Sequence, residues 1–306
     1  MSVTLLIEQL LNGVQLGTML FLMASGLTLV FGVMGLINLA HGSFYMVGAY
    51  ATAAVTASTG SFLIGLSAGI AAAALVGALV ELIVIRRLYH RPHLDQVLAT
   101  FALILIFSEG TRWLFGSSPL RLSPPSWLTG FVTLPGDTRY PIYRLMLIGV
   151  GIAISIALYL LISRTRLGMR IRAGESDREM IGALGVNISK LYTVVFALGA
   201  GLAGLAGALV GALQSVQVGM GEPVLILAFV VIVIGGIGSI KGALLGALLV
   251  GLVDTLGRVY LPIFFRAFMP PSEASGVGAA LAAMLIYILM AVILAFKPKG
   301  LFSAHD

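Results

Sequence analysis

Asn38 and His41 stand three residues apart in "GVMGLINLAHGSFYMVGAY" (32–50), within a stretch that holds no Asp, Glu, Lys or Arg between Glu8 and Glu81. An amide and an imidazole offer hydrogen-bond donors and acceptors, and the imidazole can also carry a proton near neutral pH. In a lipid-like surrounding such groups are costly and usually functional. Gly35 and Gly42 bracket the pair, as where a helix breaks and restarts. Discontinuous helices with freed backbone groups mark solute sites in many transporters. Two readings stand. Asn38, His41 and Gly42 line a solute path, or they form a short turn between two spans in which His41 caps a helix.

A second candidate is "VIVIGGIGSIKGALLGALL" (231–249), with Gly235, Gly236, Gly238, Ser239 and Lys241 close together. It faintly resembles a phosphate-binding loop. That chemistry needs Ser or Thr after the lysine to hold Mg²⁺, and here Gly242 follows. The segment reads instead as a tight glycine turn between two helices, with no nucleotide or other cofactor. The chain has no cysteine, which removes disulfides, thiolate metal sites and a cysteine nucleophile. Glu81, Glu109, Glu222 and Asp254 fall near the ends of apolar runs, so no intramembrane proton relay is apparent. Nor is a nucleophile–base pair or metal cluster, and an intramembrane enzyme finds no support.

The third candidate is "RIRAGESDREMIGALGVNISK" (170–190). Arg164, Arg166, Arg170, Arg172, Glu175, Asp177, Arg178, Glu179 and Lys190 make nine charges, out of 18 basic and 12 acidic residues in all. So dense a mixed-charge segment demands a solvated face. Ser176 is placed to cap a short helix, and Asp177 and Glu179 suit its positive N-terminal end. Met180, Ile181 and Leu184 fall on one side at three- and four-residue spacing, and Gly185 stops it. A helix this short is unstable alone in water. It needs a groove, or a bilayer surface of anionic lipid, to lie in.

The elements that must position these residues follow from composition. With 59% hydrophobic and 10% charged residues, against roughly 25% charged in soluble domains, the chain takes a bilayer as its solvent. The uncharged run between Glu8 and Glu81 alone accommodates three helices of about 20 residues. Long continuous apolar runs, without period-two alternation, exclude an outer-membrane barrel. The sequence predicts an all-α polytopic transmembrane bundle of about eight or nine spans with possible broken helices. Apolar segments lie near 10–35, 43–58, 62–85, 94–111, 142–163, 191–213, 224–240, 242–257 and 277–296. The start "MSVTLLIEQLLNG" lacks a basic region and carries Glu8, so it does not read as a cleaved signal peptide. With the N-terminus outside, twelve basic residues face inward: Arg86, Arg87, Arg91, Arg164, Arg166, Arg170, Arg172, Arg178, Lys190, Lys241, Lys297 and Lys299. Six face outward: Arg112, Arg121, Arg139, Arg144, Arg258 and Arg266. That asymmetry obeys the positive-inside bias and puts the loop at about 164–190 in the cytoplasm. The net charge of +6 is thereby explained without nucleic acid. The outward loop at about 112–141, rich in Pro and Ser and holding Trp127, reads as an external cap or an ordinary connection. Residues 258–276 read as an amphipathic segment at the outer interface.

The 38 glycines include the pairs Gly13 and Gly17, Gly65 and Gly69, Gly207 and Gly211, and Gly242 and Gly246. Small residues at this spacing let backbones approach where lipid supplies no hydrophobic drive between helices. Helix packing accounts for them, as do surfaces on which helices slide.

Taken together, "GLINLAHGSFYMVGAY", "RAGESDREMIGALGVN", "VIVIGGIGSIKGALLGALLVG" and the terminal "FKPKGLF" resemble, in order and spacing, the permease subunits of branched-chain amino-acid ABC importers, specifically the shorter of that system's two permeases. The resemblance covers nearly the whole chain. It implies a single transmembrane permease domain over 1–306 in the bacterial cytoplasmic (inner) membrane. It also implies a second homologous permease, two cytoplasmic ATPase subunits and a periplasmic solute-binding protein as partners. The chain would then not itself be an enzyme. The segment from about Glu175 to Gly185 would be the coupling helix that enters a groove on an ATPase, with Arg172, Glu175, Asp177, Arg178, Glu179, Ala183 and Gly185 at or beside the contact. The "EAA" pattern of many importers is only approximated by Glu175, Ala183 and Gly185. The same family includes permeases for urea, short amides and aromatic acids. An ion-coupled secondary transporter is the reading outside it.

Overall fold

The computed structural model describes residues 3–89, 91–134 and 138–302. It is built almost wholly of helices: α1 (Val3–Met34), α2 (His41–Thr59), α3 (Phe62–Ile83), α4 (His93–Phe115), α5 (Ile142–Arg164), α6 (Arg166–Ser176), α7 (Arg178–Ala183), α8 (Ile188–Gly211), α9 (Gly221–Gly235), α10 (Ile240–Phe265) and α11 (Pro271–Phe296). One antiparallel hairpin, β1 (Phe131–Leu134) and β2 (Thr138–Pro141), is paired in the register Phe131 to Pro141 and precedes α5.

Among the described residues, seven helices are long and apolar enough to cross a membrane: α1, α3, α4, α5, α8, α10 and α11. Of the other two expected segments, α2 has the length but carries His41, Ser43, Thr52, Thr56, Ser58 and Thr59. α9 is apolar but only 15 residues long, about 22 Å at 1.5 Å per residue and short of a 30 Å hydrocarbon core. The segment expected at 242–257 is part of a 26-residue helix, because Pro262 is accommodated inside α10. This corrects the reading of 258–276 as an interfacial loop: α10 occupies its start, α11 begins at Pro271, and 266–270 is the whole connection.

The chain divides into two compact units, one of residues 1–21, 126–152 and 228–306, the other of 22–125 and 153–227. In the second, α2, α3 and α8 pack around glycine. A Cβ on Gly48 would strike the Gly204 backbone, one on Gly207 the Tyr45 carbonyl, and one on Gly69 the Thr52 hydroxyl. Thr52 can lie there because its hydroxyl donates to the Gly48 carbonyl at 2.8 Å. In the first unit the Gly13/Gly17 face of α1 meets Gly251 of α10, and Gly278 of α11 meets Pro262. The G-x-x-x-G pairs are thus sites of backbone contact. The outer faces of α4, α5 and α11, with Leu105, Ile106, Ile156, Tyr159, Met284 and Val292 exposed, present to lipid the surface that water would reject.

In the Pro- and Ser-rich stretch at about 112–141, α4 continues to Phe115, so Arg112 lies on a helix and pairs with Glu109. Beyond it Leu120 and Val216 exchange backbone hydrogen bonds at 2.8 and 2.9 Å. The hairpin follows, next to an exposed Trp127.

Candidate functional site

α1 ends because Gly35 takes the left-handed conformation, φ +64°, while its N–H still closes the last turn on Phe31 O at 2.7 Å. Residues 35–40 are not helical and α2 starts at His41, so the chain does break where the glycines bracket the polar pair. Asn38 and His41 are both fully buried. Both amide atoms of Asn38 and both ring nitrogens of His41 lack a hydrogen-bond partner. The His41 ring lies near the Met23 carbonyl without good bonding geometry and stands edge-on to Phe44, 6.1 Å between centroids. His41 is the first residue of α2, and its side chain makes no capping bond. Backbone packs closely beside His41: a Cβ on Gly26 would come within 3.0 Å of His41 Nε2, and one on Gly42 within 2.8 Å of Gly221 O. A buried polar atom left without a partner costs about 1–3 kcal/mol. Four such atoms lie together at the break and the first residue of α2.

The charged segment at about 164–190 holds two helices where the sequence suggested one. α6 is capped by Thr165, whose Oγ1 accepts from Gly168 N at 3.1 Å. Ser176 is its last residue and not a cap. The cap of α7 is Asp177, whose Oδ1 accepts from Glu179 N at 3.0 Å and Met180 N at 2.9 Å. An aspartate binds these free amides better than the serine beside it because its charge also suits the helix dipole. Gly185, at φ +85°, ends the segment. Of the three apolar residues only Ile181 is buried. Met180 and Leu184 are 59% and 77% exposed, among exposed Glu179, Gly182 and Ala183. Arg172 donates to the Ile162 carbonyl at the end of α5, and Glu175 is half-buried. The Arg178 guanidinium lies against Gly35, where a Cβ would be 3.1 Å from Nη2. α7 therefore touches the end of α1 just before the break.

Gly235, Gly236 and Gly238 make the turn between α9 and α10, with φ +106° at Gly236 and +88° at Gly238. Ser239 Oγ caps α10 by accepting from Gly242 N at 3.1 Å. The terminal tail, read separately in the sequence, joins this turn: Leu301 N donates to Ile234 O at 2.9 Å and Phe302 N to Gly235 O at 3.0 Å. A Cβ on Gly236 would collide with the Phe302 carbonyl.

Sequence reasoning treated Glu81 only as an acid near a span end. It is fully buried and accepts from Arg86, Tyr89 and Thr193. Its partners lie five, eight and 112 residues away, and no helical period joins them. Among the described residues no group of three or more His, Asp or Glu could hold a metal ion.

The family model described as "Branched-chain amino acid transport system / permease component" matches residues 9–294. The high-affinity branched-chain amino acid transport system permease protein LivH of Escherichia coli K12 is 30% identical over 277 residues, 85% of this chain and 88% of that one. The corresponding BraD of Pseudomonas aeruginosa is 30% identical over 314 residues, 98% of this chain and 96% of that one. The ribose import permease protein RbsC of E. coli K12 is 28% identical over 259 residues, 81% and 77% of the two chains. No solved structure matches significantly. With seven helices among its described residues able to cross a membrane, the chain is a multi-pass protein of the cytoplasmic membrane, and it belongs to the permease-component family of branched-chain amino acid transport systems.

Proposed function

We propose that this permease subunit of an ATP-binding-cassette importer carries branched-chain or other hydrophobic amino acids into the cytoplasm. The similarity to LivH and BraD, both branched-chain amino acid permeases, supports that substrate class over urea, short amides or aromatic acids. The chain hydrolyses no ATP. It pairs with a second homologous permease, rests on two cytoplasmic ATPases and receives solute from a periplasmic binding protein. The observation that carries this reading is α7. It is a six-residue helix preceded by its cap Asp177, and it shows Met180, with Leu184 just past its end, to the outside among charged neighbours. Two exposed apolar side chains at so short a helix fit a groove in a partner, and α7 with Arg172, Glu175, Asp177, Arg178, Glu179, Ala183 and Gly185 is the ATPase contact. The break at Asn38, His41 and Gly42 lies on the solute path. An ion-coupled carrier is disfavoured because Glu81 and Asp254, the buried carboxylates among the described residues, are each already paired with an arginine.

The test is purification of the membrane complex followed by reconstitution in vesicles with leucine, urea and a short amide as competing solutes. Two ATPases and a second permease should co-purify, and leucine uptake should require ATP and survive an ionophore. Uptake that the ionophore abolishes and ATP does not affect would refute the reading.

A further inference from the structure

Glu81 is the last charged residue one would expect to find wholly buried, at the end of a membrane-crossing helix. Its carboxylate is held by four hydrogen bonds. Arg86 Nε reaches Oε1 at 3.2 Å and Arg86 Nη2 reaches Oε2 at 3.0 Å. The Tyr89 hydroxyl donates to Oε1 at 2.7 Å and the Thr193 hydroxyl to Oε2 at 2.7 Å. Arg86 Nη2 also reaches Thr193 Oγ1 at 2.8 Å. Burial and the bond to Glu81 push the Tyr89 hydroxyl above its ordinary pKa, so it stays a donor. Both carboxylate oxygens accept twice, so the buried carboxylate is fully satisfied and held in place, while the Arg86 side chain that grips it is partly exposed.

Its position gives it a role. The group fastens the end of α3 and the α3–α4 loop to the second turn of α8. Only residues 184–187 separate α8 from α7, so a displacement of α7 passes directly into the turns that hold Tyr192 and Thr193. Tyr192 stands edge-on to Tyr89, 5.0 Å between centroids, and the Tyr89 hydroxyl meets Met34 Sδ, 4.0 Å away, in the last residue of α1. Gly35 follows, against the Arg178 guanidinium of α7. α7 is thus framed by α1 and α8, and Glu81 ties both to α3. Movement of α7 thus has two routes to the break at residues 35–40, directly through Arg178 and Gly35 and, by way of α8, through the group around Glu81.

We propose that Glu81, with Arg86, Tyr89 and Thr193, is a positioning knot that converts displacement of α7 into displacement of the α1–α2 break, and so couples ATP hydrolysis to solute movement. This rests on the reading of α7 as the ATPase contact. Glu81→Ala would leave Arg86 without its carboxylate and is liable to misfold, so gentler changes carry the test. Thr193→Val and Tyr89→Phe each remove one donor and keep the side chain's shape, and Thr193→Ser restores a hydroxyl. The complete complex is reconstituted with its binding protein, and ATP hydrolysis and solute uptake are measured in the same vesicles. Thr193→Val and Tyr89→Phe should assemble with the ATPases at wild-type stoichiometry and hydrolyse ATP at a similar rate. Uptake per ATP should fall about threefold or more, and Thr193→Ser should recover it. An unchanged uptake-to-hydrolysis ratio in both variants overturns the proposal, as does a parallel loss of both rates, which is what a purely structural network gives. Failure of the underlying reading would appear separately, as wild-type vesicles whose uptake ignores ATP.

Discussion

Removing the cap of α7 should weaken ATPase binding by a predictable amount. α7 has six residues, far below the roughly 12–15 at which isolated helices become marginal in water. Two features of the structure hold it: burial of Ile181 and the paired acceptance of Glu179 N and Met180 N by Asp177 Oδ1. Replacing a capping Asp by Ala costs about 1 kcal/mol, and 1.4 kcal/mol is a factor of ten. Asp177→Ala should therefore reduce the population of formed helix about fivefold relative to the frayed segment, and raise the apparent dissociation constant of the ATPase by the same factor. Asp177→Asn and Asp177→Ser keep a good cap acceptor and lose only the dipole contribution of about 0.3–1 kcal/mol. Because Asp177 is exposed, that contribution lies near the low end, about 0.5 kcal/mol, and both variants should bind within about threefold of wild type. The measurement is a titration of the purified permease complex with ATPase. Amide exchange at Glu179 and Met180 serves as an independent reading of helix formation. If Asn is as defective as Ala while exchange is unchanged, Asp177 acts as a charge against the partner, and the capping argument is wrong. A charge-reversing Asp177→Lys cannot separate these, because it removes cap and charge together.

Asn38→Leu and His41→Leu should each slow uptake several-fold at matched membrane abundance with ATPase binding unchanged, since the substitutions delete unpartnered polar atoms and no existing bond. Gly42→Leu should be worse, because the Gly221 carbonyl lies where its side chain must begin; wild-type uptake in all three would leave the break an ordinary turn. A cysteine at exposed Ser176 should be labelled only from the cytoplasm and one at exposed Ser123 only from outside, on a background free of native cysteine. Labelling of both from one side would reverse the parity of the spans between them.

Features written in residue type along a single helix were readable from the sequence. Uncharged length gave the spanning helices, and G-x-x-x-G spacing gave the close helix contacts. Gly35 and Gly42 gave the break between α1 and α2. Local competition was less readable. Ser176 and Asp177 are adjacent and both are good caps, and the choice of Asp177 depends on α6 running through to Ser176. Helical spacing also put Met180, Ile181 and Leu184 on one side, yet only Ile181 is covered, because which part of an apolar stripe is buried depends on its neighbours. The Glu81 network was not readable at all. Thr193 is 112 residues away, and a threonine near the start of a helix carries no mark of the carboxylate it will meet.

The tail shows why two motifs far apart in the chain act as one. α9 stops at Gly235 after 15 residues, and the last carbonyls of any helix lack intrahelical partners. In a bilayer an unpaired carbonyl costs several kcal/mol, so a helix that ends early must find donors elsewhere. The tail supplies them from the backbone of Leu301 and Phe302. Each residue of "FKPKGLF" has a part in bringing them there. Phe296 is the last residue of α11. Pro298 has no N–H with which to continue a helix. Gly300, at φ +81°, turns the chain back, while Lys297 and Lys299 stay exposed. The approach is close enough that the Phe302 carbonyl occupies the place of a Cβ on Gly236, and the backbone there, at φ +106°, is one that only glycine adopts readily. The glycines of "IGGIGS" are thus fixed by what lies over them as much as by the turn they make. The tail is accordingly the last turn of α9 supplied from another part of the chain.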